Sequence, residues 1–338
     1  MSFTNRPTHL VQGSEWLNAN DHALDPMNAL AVVLTNPMDL ALQRLPLSMP
    51  TEDDVVVDIE WSGISTGTER LLWAGRMPHF PGMGYPLVPG YESVGRVARA
   101  GKRSGRRHGE RVFVPGAKCF GDVRGLFGGA ASRVVLPGVR ALPIDEAIGE
   151  RGVLLALAAT AFHATSGEGG RLPDLIIGHG VLGRLLARLA VAAGAAPVVW
   201  ELDPSRRAGA SGYAVVDPAE DSRRDYRCIV DVSGDAGGLD GLIARLAPGG
   251  EVVLAGFYDV PLSFAFAPAF MREARLRVAA QWQPADLVAV RDMAASGRLS
   301  LDGLITHRMA ADKADAAYRT AFGDAGCLKM VLDWRDNP

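Results

Sequence analysis

Residues 174–203 read DLIIGHGVLGRLLARLAVAAGAAPVVWELD, and this stretch decides the fold. A short apolar run leads into Gly178, Gly180 and Gly183, spaced GxGxxG. Leu182, Leu185, Leu186, Leu189, Ala190 and Ala193 then recur at helical spacing. A second apolar run, PVVWE, ends on Glu201, 23 residues after Gly178. The glycine spacing alone is weak. Strand, glycine turn, helix, strand and terminal acid together are the fingerprint of a dinucleotide site. The first glycine permits the tight turn, the second lets the backbone approach a pyrophosphate, and the third lets helix and strand pack closely. The N–H groups of Val181 and Leu182 open the helix, whose positive dipole end faces phosphate. Glu201 is expected to accept hydrogen bonds from ribose hydroxyls, and its charge repels a 2′-phosphate, which favours NAD. Arg206 and Arg207 nearby keep NADP as the alternative. His179 is either a tolerated loop residue or a contact to phosphate or ribose.

Downstream, RCIVDVS (227–233) and GEVVLAG (250–256) are further short apolar strands between helical patterns. Such alternation implies βαβ units and a parallel sheet. Upstream the pattern differs. Val55, Val57, Ile59 and Trp61 alternate with Val56, Asp58 and Glu60, a strand with one buried face. Further β-like runs at 29–34, 93–98, 111–115 and 132–136 lie between Gly and Pro turns. The fold class is therefore α/β: an irregular β-rich domain over 27–148, a doubly wound parallel-sheet domain over 149–296, and a segment over 297–338. Residues 1–26 are polar and read as an extension, or the natural start is Met27.

Composition narrows the function. The 338 residues are 48% hydrophobic and 22% charged, with net charge −3, which argues against a nucleic-acid-binding face. Three cysteines, Cys119, Cys228 and Cys327, lie far apart, so neither a disulfide framework nor a CxxC metal site is expected, and a reducing cytoplasm is. No apolar run approaches the roughly 20 residues of a membrane span. The basic loop 100–110, AGKRSGRRHGE, is either a solvated turn or a dock for an acidic group.

The stretch GISTGTE, 63–69, sets three hydroxyls and a carboxylate directly after a strand. These residues either close a turn or hold a reacting group. With YPLVPGYESVGRV (85–97), GERVFVPG (109–116), the GHGVLG turn, DVSG (231–234), LAPGGEVVLAGF (246–257) and LITHR (304–308), it resembles the medium-chain dehydrogenase/reductase superfamily. That resemblance spans about residues 28–335. It implies a GroES-like catalytic domain first, a Rossmann domain second, and a last segment that returns to the first domain. It also implies cofactor contacts at Ser233 and Gly256. Zinc-dependent members have a cysteine near the place of Ser65 and a Gly-His-Glu where this chain has Gly90-Tyr91-Glu92. Zinc needs three such ligands, so no catalytic metal is expected.

Residues 62–95 further resemble a bacteriochlorophyll-pathway branch that oxidises a hydroxyethyl group on a bacteriochlorophyllide to acetyl. This implies NAD and a tetrapyrrole substrate; no nucleic-acid partner is expected, and a homo-oligomer such as a dimer is the expected assembly. Without zinc, a positioned base must take the alcohol proton. The candidates are Ser65, Thr66, Thr68, Glu69, Tyr91, Glu92 and His163, each with a structural alternative. Glu92 can pair with an arginine, and His163 and Tyr91 can pack in the core. Trp73, Phe80, Tyr85 and Trp282 are candidate walls for the pigment, and Arg103, Arg106 and Arg107 candidate partners for its propionate. Two rivals remain: a zinc-free NADPH quinone or enoyl reductase of the same fold, and a non-catalytic NAD-binding sensor.

Overall fold

The computed structural model describes residues 27–166, 170–279 and 281–336. The expected N-terminal extension lies outside the described residues. The first half runs β1 (Asn28–Asn36), β2 (Asp39–Pro46), β3 (Asp54–Ile64), helix α1 (Thr68–Ala74), β4 (Leu87–Val88), β5 (Ser93–Ala100), β6 (Arg111–Val114), β7 (Arg124–Gly125), β8 (Arg133–Pro137) and β9 (Leu142–Pro143). The chain continues through α2 (Leu155–Ser166), β10 (Leu175–Ile177), α3 (Val181–Ala192), β11 (Val198–Trp200), β12 (Ala214–Val216), β13 (Tyr226–Asp231), α4 (Leu239–Ile243) and β14 (Leu246–Leu254). It ends with α5 (Phe266–Met271), β15 (Arg275–Val278), α6 (Pro284–Ala295), β16 (His307–Ala310), α7 (Ala314–Gly323) and β17 (Met330–Asp333).

Among the described residues, β10 to β15 form one sheet in the order β12-β11-β10-β13-β14-β15, every pair parallel. In sequence terms this is 3-2-1-4-5-6, the doubly wound order, whose direction reverses between β10 and β13. The glycine turn follows β10 and so lies at that switch point. Gly178 takes φ +101°, a left-handed conformation open to glycine. A Cβ on Gly183 would stand 1.9 Å from the carbonyl oxygen of Gly178. Backbone cannot yield as a side chain would. Gly183→Ala is therefore expected to displace the turn from α3 and abolish dinucleotide binding, read by NADH fluorescence titration. Unchanged binding would show that the turn is not the phosphate cradle.

The earlier strands build two further sheets. One has the order β2-β1-β4-β7, and the other β16-β17-β3-β5-β6-β9, with β8 also on β3. The last strand, β17, pairs antiparallel with the end of β3, Met330 opposite Ile64. The C-terminal segment thus returns to the first sheets. Val56 is only 1% exposed, although the alternation assigns it to solvent. Strand β3 is central, and Val55, Val56, Val57 and Ile59 all enter one core with Tyr318, Met330 and Trp334. A second core joins the two halves, because Val94 and Phe113 pack with α2, α3 and the parallel sheet. No helix among the described residues is long and apolar enough to cross a membrane.

Candidate active site

The end of β3, the first turn of α1 and the segment 90–92 converge. Ser65 Oγ lies 2.8 Å from the Tyr91 phenol oxygen. The Thr68 hydroxyl stands beside that phenol. The Glu69 carboxylate turns inward beneath them. Its Oε1 accepts from the backbone N–H of Ser65 at 3.0 Å, and its Oε2 accepts from the Tyr318 hydroxyl at 2.6 Å. Glu69 is 1% exposed, and burial is the main cause that lifts its carboxyl from 4.5 to about 7. Hydrogen bonds from Tyr318 and Ser65 oppose the rise. A carboxyl there is half ionised near neutral pH, the value a general base needs.

The same environment acts the other way on Tyr91. Burial, then the charge of Glu92, pushes its phenol well above the usual range. A phenol held there keeps its proton at neutral pH, so among the candidate bases Tyr91 is suited to donate rather than to accept. Glu92 is likewise corrected. It is fully buried, and its Oε2 lies 2.6 Å from Lys329 Nζ, which also donates to the Ile64 carbonyl at 3.1 Å. The partner is a lysine, not an arginine, and the pair is sealed away from any ligand. Gly63 makes room for it, since a Cβ there would stand 2.5 Å from Glu92 Oε2. His163 does not join the cluster. Its Nδ1 lies 2.8 Å from Asp286 Oδ2, the carboxylate that closes the first turn of α6. Thr66 is exposed on the turn.

The aromatics expected as pocket walls are mostly core. Phe80 and Tyr85 pack with Leu34, Leu72 and Leu87, Trp73 stands 5.6 Å from Phe322, and Trp282 packs on the second core. The aromatic that does meet the cluster is Phe127. It is 36% exposed, with its ring edge-on to Tyr91 at 5.6 Å between centroids. The basic loop is also misplaced for substrate. Arg103 pairs with Asp53, and Arg106 donates to the carbonyls of Gly138 and Ala141. Those partners lie at the start of β3 or beyond it, so the loop is about 30 Å of strand from the hydroxyl cluster.

At the dinucleotide turn, Gly180 caps α3, and Val181 and Leu182 open it. Glu201 Oε2 accepts from the His179 N–H at 3.0 Å, and its Oε1 from the Asp203 N–H at 2.9 Å. The acid is therefore held beside the turn with lone pairs left for hydroxyls. His179 is fully buried, with Nδ1 at 2.7 Å from the Arg206 carbonyl and Nε2 at 2.9 Å from Tyr213 Oη. Both ring nitrogens are used internally, so it braces the turn and does not reach a ligand. Ser233 bonds back to Asp231 at 2.7 Å, and the Gly256 N–H donates to the Asp231 carbonyl, which draws the two strand-end loops together at the crevice. These residues fit a dinucleotide. A catalytic zinc does not fit the other cluster: its donors are two hydroxyls, a phenol and a buried carboxyl already held by two hydrogen bonds. Among the described residues no group of three His, Cys, Asp or Glu side chains is disposed to hold a metal.

Lys329, Tyr318 and Phe127 were not singled out from sequence. A lone lysine in the apolar run CLKMVLD was the one available signal for Lys329. Tyr318 and Phe127 gave none, because their partners lie 249 and 36 residues away in the chain.

Known proteins resemble this arrangement. Residues 51–146 match the alcohol dehydrogenase GroES-like domain. The chain is 59% identical over 312 residues to the 2-desacetyl-2-hydroxyethyl bacteriochlorophyllide A dehydrogenase of Rhodobacter capsulatus, covering 92% of this chain and 99% of the relative. It is 59% identical over 315 residues to the Cereibacter sphaeroides protein of the same name, covering 91% and 99%. Acetophenone reductase of Geotrichum candidum, solved in complex with NAD, superposes with a TM-score of 0.78 at 18% identity, covering 94% and 100%. That last likeness shows the fold alone: a GroES-like β domain joined to a doubly wound one.

Proposed function

Because the chain belongs to the family of the 2-desacetyl-2-hydroxyethyl bacteriochlorophyllide A dehydrogenases, we propose that it oxidises the hydroxyethyl side chain of a bacteriochlorophyllide to acetyl, with NAD as oxidant, in bacteriochlorophyll biosynthesis. In this reading residues 27–148 are the catalytic domain, 149–296 the dinucleotide domain and 297–338 the returning segment. The carrying observation is the hydroxyl cluster of Ser65, Thr68 and Tyr91 above a carboxyl poised near neutrality.

The substrate alcohol hydrogen-bonds to Tyr91 and Ser65, which fix its oxygen. Its proton leaves by way of these hydroxyls and a bridging solvent molecule toward Glu69, a carboxyl whose pKa suits acceptance near neutral pH. Tyr318 and the Ser65 N–H hold the Glu69 carboxylate in place for that role. Phe127 offers an exposed aromatic wall for a flat macrocycle beside the reacting edge. Bound NAD supplies the hydride acceptor, seated by Gly178, Gly180, Val181, Leu182, Gly183 and Glu201. NAD is favoured over NADP because the nearby arginines are engaged. Arg207 pairs with Asp217 at 2.6 Å, and Arg206 Nε donates to the Ala325 carbonyl at 2.8 Å. A homo-oligomer stays part of the proposal, since exposed Phe266, Phe270, Met271 and Val278 cluster around edge strand β15.

The test mixes protein, NAD and the hydroxyethyl pigment and follows the absorption spectrum. Conversion to acetyl extends the conjugation and is expected to shift the long-wavelength band to the red, with stoichiometric NADH formed. No shift, with dinucleotide binding confirmed, removes the substrate assignment and leaves a binding protein.

A further inference from the structure

Arg76 stands where the β-rich half meets the loop after β14. It follows Gly75, the C-terminal cap of α1, and its guanidinium pairs with Asp259. Asp259 lies on the loop after β14, next to Tyr258, whose hydroxyl donates to Asp231 at 2.9 Å. The pair therefore bridges the β-rich half and the C-terminal edge of the parallel sheet. Thr68, in the hydroxyl cluster, opens the same helix that Arg76 follows. At a helical rise of 1.5 Å per residue, the two are roughly 12 Å apart.

The Arg76 side chain is 65% exposed, and among the described residues Asp259 is its one side-chain hydrogen-bond partner. A guanidinium carries five N–H donors, so most of this one still face solvent. An exposed ion pair is held weakly and exchanges readily. A planar carboxylate arriving with a ligand can take two parallel N–H bonds from the same fork.

Two of the polar groups at the edge of the flat bacteriochlorophyllide disc can serve as handles. One is the hydroxyethyl group, and the other is the free propionate on the adjacent pyrrole. A slot with apolar walls leaves such a disc free to rotate in its own plane, and a second anchor removes that freedom. Resting on the substrate reading above, we propose that Arg76 is the propionate anchor, exchanging Asp259 for the substrate carboxylate and so aiming the hydroxyethyl group at Ser65 and Tyr91. Arg103 and Arg106 are excluded by position, since their partners place them at the far end of β3 from the hydroxyl cluster. The rival cation is Arg70, exposed on α1.

The experiment compares the hydroxyethyl pigment as free acid and as its propionate methyl ester, in wild type, Arg76→Ala, Arg70→Ala and Asp259→Asn. Arg76→Ala is expected to lower kcat/KM for the acid about tenfold, through KM and kcat together, and to leave both constants for the ester near wild type. Asp259→Asn, which frees the guanidinium, is expected to leave KM for the acid unchanged or lower it. Equal losses on acid and ester, or an acid-specific loss in Arg70→Ala with Arg76→Ala silent, overturn the assignment. So does an Asp259→Asn variant that weakens acid binding as much as Arg76→Ala, because the pair is then only a bridge between the halves. If wild type oxidises neither pigment, the substrate reading itself fails, an outcome separate from all of these.

Discussion

Glu69→Gln is expected to lower kcat by at least about a hundredfold while NADH binding stays intact, since a positioned general base contributes roughly 10²–10⁴ in rate. Glutamine keeps one acceptor oxygen, for the Ser65 N–H, and turns an N–H toward the Tyr318 hydroxyl, which can rotate to accept it, but it cannot take a proton. The wild-type pH profile carries the sharper signature. A base must be ionised to act, so kcat/KM should rise with pH through about 7 and then level off. In Glu69→Gln that limb disappears, and the residual rate is flat there. The same titration acts on stability with the opposite sign. The folded carboxyl, at about 7, binds its proton more tightly than the unfolded one at 4.5. Its contribution is therefore full below 4.5 and is lost as pH climbs through 7, about 3 kcal/mol in all. Urea unfolding of wild type should weaken across that window, and the Glu69→Gln profile should be flatter. A variant that keeps the wild-type pH limb moves the base elsewhere.

The parallel sheet was legible because its signals are local. GxGxxG, the helical leucines and Glu201 fall within one βαβ unit, and the observed strand order agrees with the alternation that announced it. Ser65, Glu69 and Tyr91 were legible as chemistry, because hydroxyls and an acid beside a strand end stand out. What each does was not legible. Glu69 is buried and Tyr91 half-buried in one cluster, and desolvation raises both pKa values. For the carboxyl that yields a usable base, and for the phenol it removes one. Sequence gives the residue types but not the desolvation that separates their roles. Glu92 failed for a related reason: its partner arrives 237 residues later, just before β17. His163 carried the right intrinsic pKa on the right helix, but a helix has several faces, and this one meets Asp286.

Lys329→Met is expected to destabilise the protein by about 3–5 kcal/mol, the usual result of stranding one member of a buried ion pair. The ammonium is 1% exposed, and its bonds go to Glu92 and to the Ile64 carbonyl at the end of β3. Removing it leaves a carboxylate with no countercharge and nowhere to meet water. Burial already lifts the Glu92 carboxyl, and Lys329 is what holds it down. Without the lysine the folded pKa rises further, and the protein escapes part of the penalty by protonating Glu92. The deficit relative to wild type should therefore be smallest at low pH and grow as pH rises, in urea unfolding or in the thermal midpoint. The double variant Glu92→Gln/Lys329→Met removes both charges and should regain much of the loss, since replacing an entire buried pair is often near neutral. The active site supplies an independent readout. Lys329 also lowers the Glu69 pKa electrostatically. Glu92 raises it by the same means, so Lys329→Met should shift the kcat/KM limb to higher pH while Glu92 stays ionised, which loss of packing alone does not do, and protonation of Glu92 should cancel that shift. An unshifted limb with full destabilisation would leave Lys329 as a strut beneath the site with no electrical hold on its base.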